Sequence, residues 1–479
     1  MVIGWLRGVK GHLGPMSLGS CWTSAMIKLK RTNFLLGLKS LSKQVHNNLS
    51  GKLFPGSERL CDGQLMRLCS GTSKSTKERD SLMLKHLVAK IKATGPISVA
   101  EYMREVLTNP VAGYYYHRDV VGPQGDFITS PEISQIFGEL LGIWCISEWI
   151  AAGKPKAFHL VELGPGRGTL ASDVLRVFSQ LNSLLRAREI SVHLVEVSSN
   201  LSETQAQLLT EGEHCLLHDP SAAVYKTGIT KTGLPISWYK DLQDVPKGFA
   251  FYLAHEFFDV LPIHKFQKTK QGWREILIDI EPQSPEKLRF VLAPSATFAS
   301  KALIKRDDER SHVEICPEAG VIIHSLASRI AEDGGAALIA DYGHNGTKTD
   351  TFRGFRGHQL HEVLMAPGTA DLTADVDFSY LRHMTRGKVT TLGPVTQQAF
   401  LKNMGIDVRL QVLLKNTSDP ATHKSLIEAY DIIMNPEEMG KRFKFFALMP
   451  HGRLIYQDTK FVKRGSTASP VAGFSELQL

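Results

Sequence analysis

The chain reads as an α/β protein built on a Rossmann-like, doubly wound parallel sheet. Three observations carry that reading. From about residue 156, strand-like apolar runs alternate with amphipathic helical ones. The first run breaks into a glycine-rich turn that opens a helix. The later runs end in acidic residues, at the carboxyl edge where such sheets hold their ligands. Helical patterning ahead of the first strand predicts a cap over 80–155. The sheet region then predicts a core over 156–460, with an antiparallel insertion at about 262–296 and a tail over 461–479.

No acidic residue precedes Glu58, whereas Arg7, Lys10, Lys28, Lys30, Arg31, Lys39, Lys43 and Lys52 do. These eight cations equal the formal net charge of +8, so the rest of the chain is electrically balanced. Binding nucleic acid needs a basic face on the folded part, and none is indicated. The acid-free leader, rich in Ser and Leu with spaced Lys and Arg, predicts a mitochondrial transit peptide over 1–70, with an ordinary polar tail as the alternative. Beyond it remain Cys145, Cys215 and Cys316 without a CxxC pair, so neither a disulfide framework nor a metal site is expected. No run reaches the ~18 apolar residues of a membrane span.

In the cap, "SLMLKHLVAKIKATG" has helical periodicity and stops at Gly95-Pro96. "SVAEYMREVLT" predicts a second helix. In "GDFITSPEISQIFGE", Ser130 is a natural N-cap, Pro131 suits the first helical position and Glu132 suits the positive end of the helix dipole. "AFHLVEL" and "SVHLVEV" predict the first two strands, each followed by an amphipathic helix. "ISWYKDL", "FAFYLAHEF" and "AALIADYG" predict three more, and "FKFFALMP" a late one.

In "VELGPGRGTL" the glycines are Gly164, Gly166 and Gly168. A Walker loop requires Gly-Lys-Ser/Thr, and the lysine is missing. A dinucleotide fingerprint requires Gly or Ala where Thr169 stands. Glu162, two residues ahead of the first glycine, would repel a pyrophosphate and attract a cation. The pattern points to S-adenosylmethionine, which carries positive sulfonium and ammonium groups and no phosphate. A purely structural turn is the alternative. Glu196 ends the second strand, where an acid accepts hydrogen bonds from ribose hydroxyls, although a solvated strand-end acid reads the same way. Asp241 is the candidate for the adenine end.

"AHEFFDVLP" ends the fourth strand with His255, Glu256 and Asp259. A guanidinium keeps its proton in water, its pKa lying above ~12, so an arginine acceptor must be oriented and polarised rather than deprotonated beforehand. Carboxylates holding part of its fork do this, with Glu256 the first candidate and Asp259 the second. The alternative is that Glu256 merely caps a helix. Asp371, Asp375 and Asp377 predict either an acidic groove for a basic substrate segment or a turn with N-caps.

Taken in order, "GDFITSPEISQIFGE", "VELGPGRGTL", "AHEFFDVLP", "DYGH" and "PGTADLTADVDF" resemble the MidA-type methyltransferase family, over roughly four-fifths of the chain. The resemblance implies a class I S-adenosylmethionine-dependent methyltransferase fold with an N-terminal helical cap and a β insertion. It implies symmetric dimethylation of an arginine in the 49-kDa subunit of mitochondrial complex I, in the matrix, during early assembly. It places Gly164, Gly166 and Gly168 at the cofactor turn and Glu196 at the ribose. Asp126, Thr129, Ser130 and Glu132 fall in its signature segment, expected over the cofactor. His255 stands where many bacterial relatives have Asn. A non-catalytic S-adenosylmethionine-binding assembly chaperone is the competing class.

Overall fold

The computed structural model describes residues 71–117, 128–186, 188–211, 215–216, 222–304, 308–454 and 471–474. The leader expected over 1–70, and Asp126, lie outside the described residues.

Helix α1 (Gly71–Thr94) leads into strand β1 (Ile97–Ser98) and helix α2 (Val99–Thr108). Ser98 caps α2 by accepting from the Glu101 N–H at 3.1 Å, supplying a partner for one of the donors a helix start leaves open. Helix α3 (Gln135–Ala151) precedes strand β2 (Ala157–Leu163) and helix α4 (Thr169–Gln180). Strand β3 (Glu189–Val195), helix α5 (Ser199–Leu209), strand β4 (Pro235–Tyr239) and strand β5 (Ala250–His255) follow. Antiparallel strands β6 (His264–Thr269), β7 (Gly272–Glu281), β8 (Ser284–Leu292) and β9 (His312–Ile315) come next. The chain then returns through helix α6 (Pro317–Asp333), β10 (Gly335–His344), β11 (Asp371–Thr373), β12 (Thr390–Thr396) and β13 (Phe443–Met449).

The main sheet runs β12-β13-β10-β5-β2-β3-β4, and only β13 is antiparallel within that path. Strand order reverses at β2/β5, so the carboxyl ends of those two strands open a crevice between them. The parallel register sets Leu163 beside Ala254, which brings the glycine turn level with His255 and Glu256. Side chains of alternating parity face opposite layers. Leu160, Val192, Leu253 and Leu338 pack against α3 and α4, while Val161, Tyr252, Ala254 and Ile339 pack against α6.

Two groupings differ from the sequence reading. Helix α3 packs on the sheet through Ile136, Phe137, Leu140 and Trp144, so it belongs to the core layers and not with the cap. The cap is stitched to the insertion: β1 pairs with β7, and Leu87, Val99 and Tyr102 share a core with Ile263, Ile278 and Leu288. Strand β9 pairs with β6 and extends the insertion to Ile315. At the other end, Val471 is buried and Phe474 meets the Phe400 ring edge-on, so part of the expected tail is packed core. Among the described residues no helix is long and apolar enough to cross a membrane.

Ile278 is fully buried where cap and insertion meet. Ile278→Ala is expected to cost about 2–5 kcal/mol in urea unfolding, because both segments lose the same packing surface. A cost below about 1 kcal/mol would show the shared core to be unimportant.

Candidate functional site

A cavity of about 600 Å³ lies over the carboxyl ends of β2, β3 and β5. Thr129, Glu162, Gly164, Gly166, Glu196, Asp241, His255 and Glu256, drawn from several elements of the chain, all line it.

The turn after β2 explains its glycines individually. Gly164 has φ +61°, and a Cβ there would stand 2.7 Å from Phe257 Cδ2, so the turn and the β5 loop touch only because the side chain is absent. Gly166 has φ +54°, and a Cβ there would meet nothing within 4 Å. Its side-chain direction is open space beside the cavity, which leaves bare backbone for a ligand to approach. Its carbonyl accepts from Gln205 Nε2 at 2.7 Å, fixing the turn to α5.

Glu162 ends β2 almost fully buried, with Oε2 lacking a hydrogen-bond partner. Burial pushes its carboxyl up to about 8, against the pull of the Ala171 N–H, and nearby Asp173 raises it further. Glu196 is buried as well. Its Oε1 accepts from the Ser198 N–H at 2.7 Å and its Oε2 from Gln205 Nε2 at 3.1 Å. Burial moves this carboxyl up to about 7 in spite of those donors. Asp241 is exposed at the opposite rim and accepts from the Gln243 N–H at 2.8 Å.

Glu256 begins the loop after β5 with φ +49°, a left-handed conformation uncommon for a residue with a side chain. The conformation is held from β10: Asp341 Oδ2 accepts from the Phe257 and Phe258 N–H groups at 3.2 and 2.9 Å. Oδ1 of Asp341 accepts from the Tyr342 N–H at 2.9 Å. The Glu256 carboxyl accepts from the Ser130 N–H and leaves Oε1 without a hydrogen-bond partner. Burial, then Asp259, Asp371 and Glu132, hold it well above the usual carboxylate range. His255 Nε2 lies 3.5 Å from Glu256 Oε1, yet the contact is no ion pair. Burial drives the His255 imidazole down to about 3, and its ring packs against Phe443 and Phe137, so the imidazole carries no charge at neutral pH.

Four expectations change. Asp259 does not line the cavity; it is buried behind Glu256, close to Asp341, Asp371 and Arg353, and so cannot act as a second direct clamp. Ser130 is also outside the lining, and its contribution is the N–H that orients Glu256. Gly168 stands at the N-cap of α4 with φ +88°, and a Cβ there would stand 3.3 Å from Leu209 Cδ1, facing α5 and not the ligand space. The acidic groove is absent as such: Asp375 pairs with Lys348 and Arg353, and Asp377 caps the helix Phe378–Met384. Gln205 is the residue the sequence reading missed. It ties Gly166 to Glu196, with its own Oε1 accepting from Trp238 Nε1 at 2.9 Å.

The sequence from residue 140 to 395 matches the family model described as an S-adenosyl-L-methionine-dependent methyltransferase. The mitochondrial protein arginine methyltransferase NDUFAF7 of Rattus norvegicus is 64% identical over 410 residues, spanning 85% of this chain and 94% of the rat protein. The chain belongs to this methyltransferase family. The human protein of the same name is 65% identical over 399 residues, covering 82% of this chain and 90% of its own. A COG1565 superfamily member from Burkholderia thailandensis, crystallised with S-adenosyl-homocysteine, superposes with a TM-score of 0.63. It is 23% identical and covers 78% of this chain and 93% of that one, so it shows the fold alone. S-adenosyl-L-methionine is the cofactor, and the cavity suits it. An orphaned, buried Glu162 oxygen and bare backbone at Gly166 suit a cationic ligand without phosphate.

An ammonium brought beside Glu162 ionises it, so binding releases protons and tightens as pH rises towards 8. The affinity for S-adenosyl-homocysteine is expected to rise roughly tenfold or more from pH 6 to 8. Calorimetry in buffers of different ionisation enthalpy measures both effects. A pH-independent affinity with no proton release would contradict this assignment.

Proposed function

We propose that the protein transfers methyl groups from S-adenosylmethionine to an arginine side chain of a protein substrate. Following the family resemblance, the target is an arginine of the 49-kDa subunit of mitochondrial complex I, dimethylated symmetrically in the matrix during early assembly. The name borne by its relatives, protein arginine methyltransferase, supports the chemistry. The observation that carries it is the buried Glu256 carboxyl in the cavity wall: its Oε1 lacks a hydrogen-bond partner, and Asp259, Asp371 and Glu132 lie near enough for their charge to raise it. Such a site favours a guest that brings its own positive charge.

In this reading Glu162 takes the cofactor's ammonium, Glu196 its ribose hydroxyls, the Gly164–Gly166 backbone its amino-acid portion, and Asp241 the adenine end. Thr129 closes the wall beside Glu132. The bound cofactor supplies a methyl group on positively charged sulfur. The arriving guanidinium favours the ionised form of Glu256, any proton on the carboxyl passing to solvent, and the carboxylate holds part of the fork through charge-assisted hydrogen bonds. Fixing that fork orients a free nitrogen, and orientation alone accounts for several kcal/mol of a barrier, about 7–11 at most. The nitrogen sheds a proton as it gains the methyl, and the Glu256 carboxylate accepts it. His255, held neutral by its aromatic neighbours, supplies shape to this end of the cavity and no charge.

The test uses purified protein, the 49-kDa subunit and cofactor with a radiolabelled methyl group, followed by hydrolysis and identification of the methylated amino acid. The wild type is expected to yield ω-N-methylarginines. Glu256→Gln is expected to lower transfer about 100-fold or more, with the affinity for S-adenosyl-homocysteine within about threefold of wild type. Full transfer by Glu256→Gln would remove the clamp. Wild-type protein that binds cofactor and subunit but transfers nothing would support the chaperone reading.

A further inference from the structure

Tyr115 stands in the short helical segment Tyr114–His117, ahead of the first core helix, and lines the same cavity as Glu256. Its position is set at two points. The phenol donates to Asp371 Oδ1 at 2.6 Å, and the Tyr115 carbonyl accepts from Ser198 Oγ at 2.9 Å. Asp371 lies buried on β11, more than two hundred residues away in sequence, and no step described so far uses the pair. Yet Asp371 is near enough to Glu256 for its charge to raise that carboxyl.

A tyrosine hydroxyl has one proton to give and two lone pairs. With the proton committed to Asp371, the phenol can offer a ligand only its lone pairs. Glu256, once ionised, is likewise only an acceptor. Guanidinium is the complementary case, with five donors and no acceptor. We propose that Tyr115, oriented by Asp371, is a second acceptor for the target guanidinium, so that the reacting group is held by the Glu256 carboxylate and the Tyr115 phenol oxygen together. Tyr115 touches substrate, and Asp371 is a positioning residue that keeps the phenol proton out of the cavity. The inference rests on the arginine-transfer reading.

The geometry has a consequence that packing alone does not. Asp371→Asn retains a carbonyl that accepts the phenol proton, so it should lose less of the function than a variant without that acceptor. Asp371→Leu frees that proton to point at the substrate and should lose it. Tyr115→Phe/Asp371→Leu removes the buried charge together with its partner, which spares the fold the cost of an orphaned carboxylate. Two readouts are taken on folded protein: kcat and KM for methyl transfer to the 49-kDa subunit, and NMR titration of the S-adenosyl-homocysteine complex with ethylguanidinium.

Tyr115→Phe, Asp371→Leu and the double variant are expected to weaken ethylguanidinium binding and raise KM about tenfold. Asp371→Asn is expected to lose clearly less than Asp371→Leu, because the phenol keeps its acceptor, and all four bind S-adenosyl-homocysteine normally. Wild-type guanidinium binding in Tyr115→Phe and in the double variant would overturn the inference while leaving arginine transfer standing. So would a loss of S-adenosyl-homocysteine affinity equal to the loss of guanidinium affinity. Wild-type protein that binds no guanidinium would overturn both. Binding without methyl transfer, weakened by Tyr115→Phe, would support the acceptor role and count against the transfer reading.

Discussion

The buried carboxyl of Asp341 holds the site together. It sits at the end of β10 with no exposed surface and accepts three backbone N–H groups, two of them from the loop that follows β5. Those bonds keep Glu256 in a left-handed conformation that costs about 1–3 kcal/mol for a residue with a side chain. The two that reach the loop, at about 1 kcal/mol each, are of the same size as that strain. Released from it, the loop would relax, and Glu256 would lose its bond to the Ser130 N–H and its place in the cavity wall. The same loop carries Phe257, whose ring rests where a side chain on Gly164 would stand, so the glycine turn and the Glu256 loop are shaped by one contact.

Electrostatics divides the cavity into two tasks. At the β2–β3 side, Glu162 and Glu196 are separate carboxyls raised by burial, each with its own donors. At the β5 side, burial raises the carboxyls of Glu256 and Asp259, and the charge of Asp371 raises both further. Placing several carboxyls so close is unfavourable for the empty protein. In the arginine-transfer reading it becomes favourable when a cation enters, and the site then selects for charge as well as for shape.

The parallel sheet was legible because alternating apolar runs dictate it, and the glycine turn because each missing side chain answers a local demand. Glu162, Glu196 and Glu256 were legible as acids at strand ends, where the topology collects ligands. Asp259 misled because three residues beyond Glu256 the loop has already turned into the interior. Gln205 was hidden because a polar residue on an amphipathic helix looks solvated, whereas here it is fully buried and satisfied on both ends of its amide. Strand β12 and the helices Ile406–Asn416 and Pro420–Met434 escaped notice, since Gly393-Pro394 interrupts the strand pattern and long-range packing sets the rest. Nor does periodicity reveal that the cap and the insertion share a core, a pairing set by β1 against β7.

The most direct test of this account is a comparison of cofactor binding and methyl transfer in Asp341→Ala, with circular dichroism confirming the folded state. If Asp341 acts by holding the Glu256 loop, transfer to the protein substrate falls by about 100-fold or more while S-adenosyl-homocysteine binds within about threefold of wild type. Transfer at the wild-type rate, or cofactor affinity and transfer falling together, would contradict it.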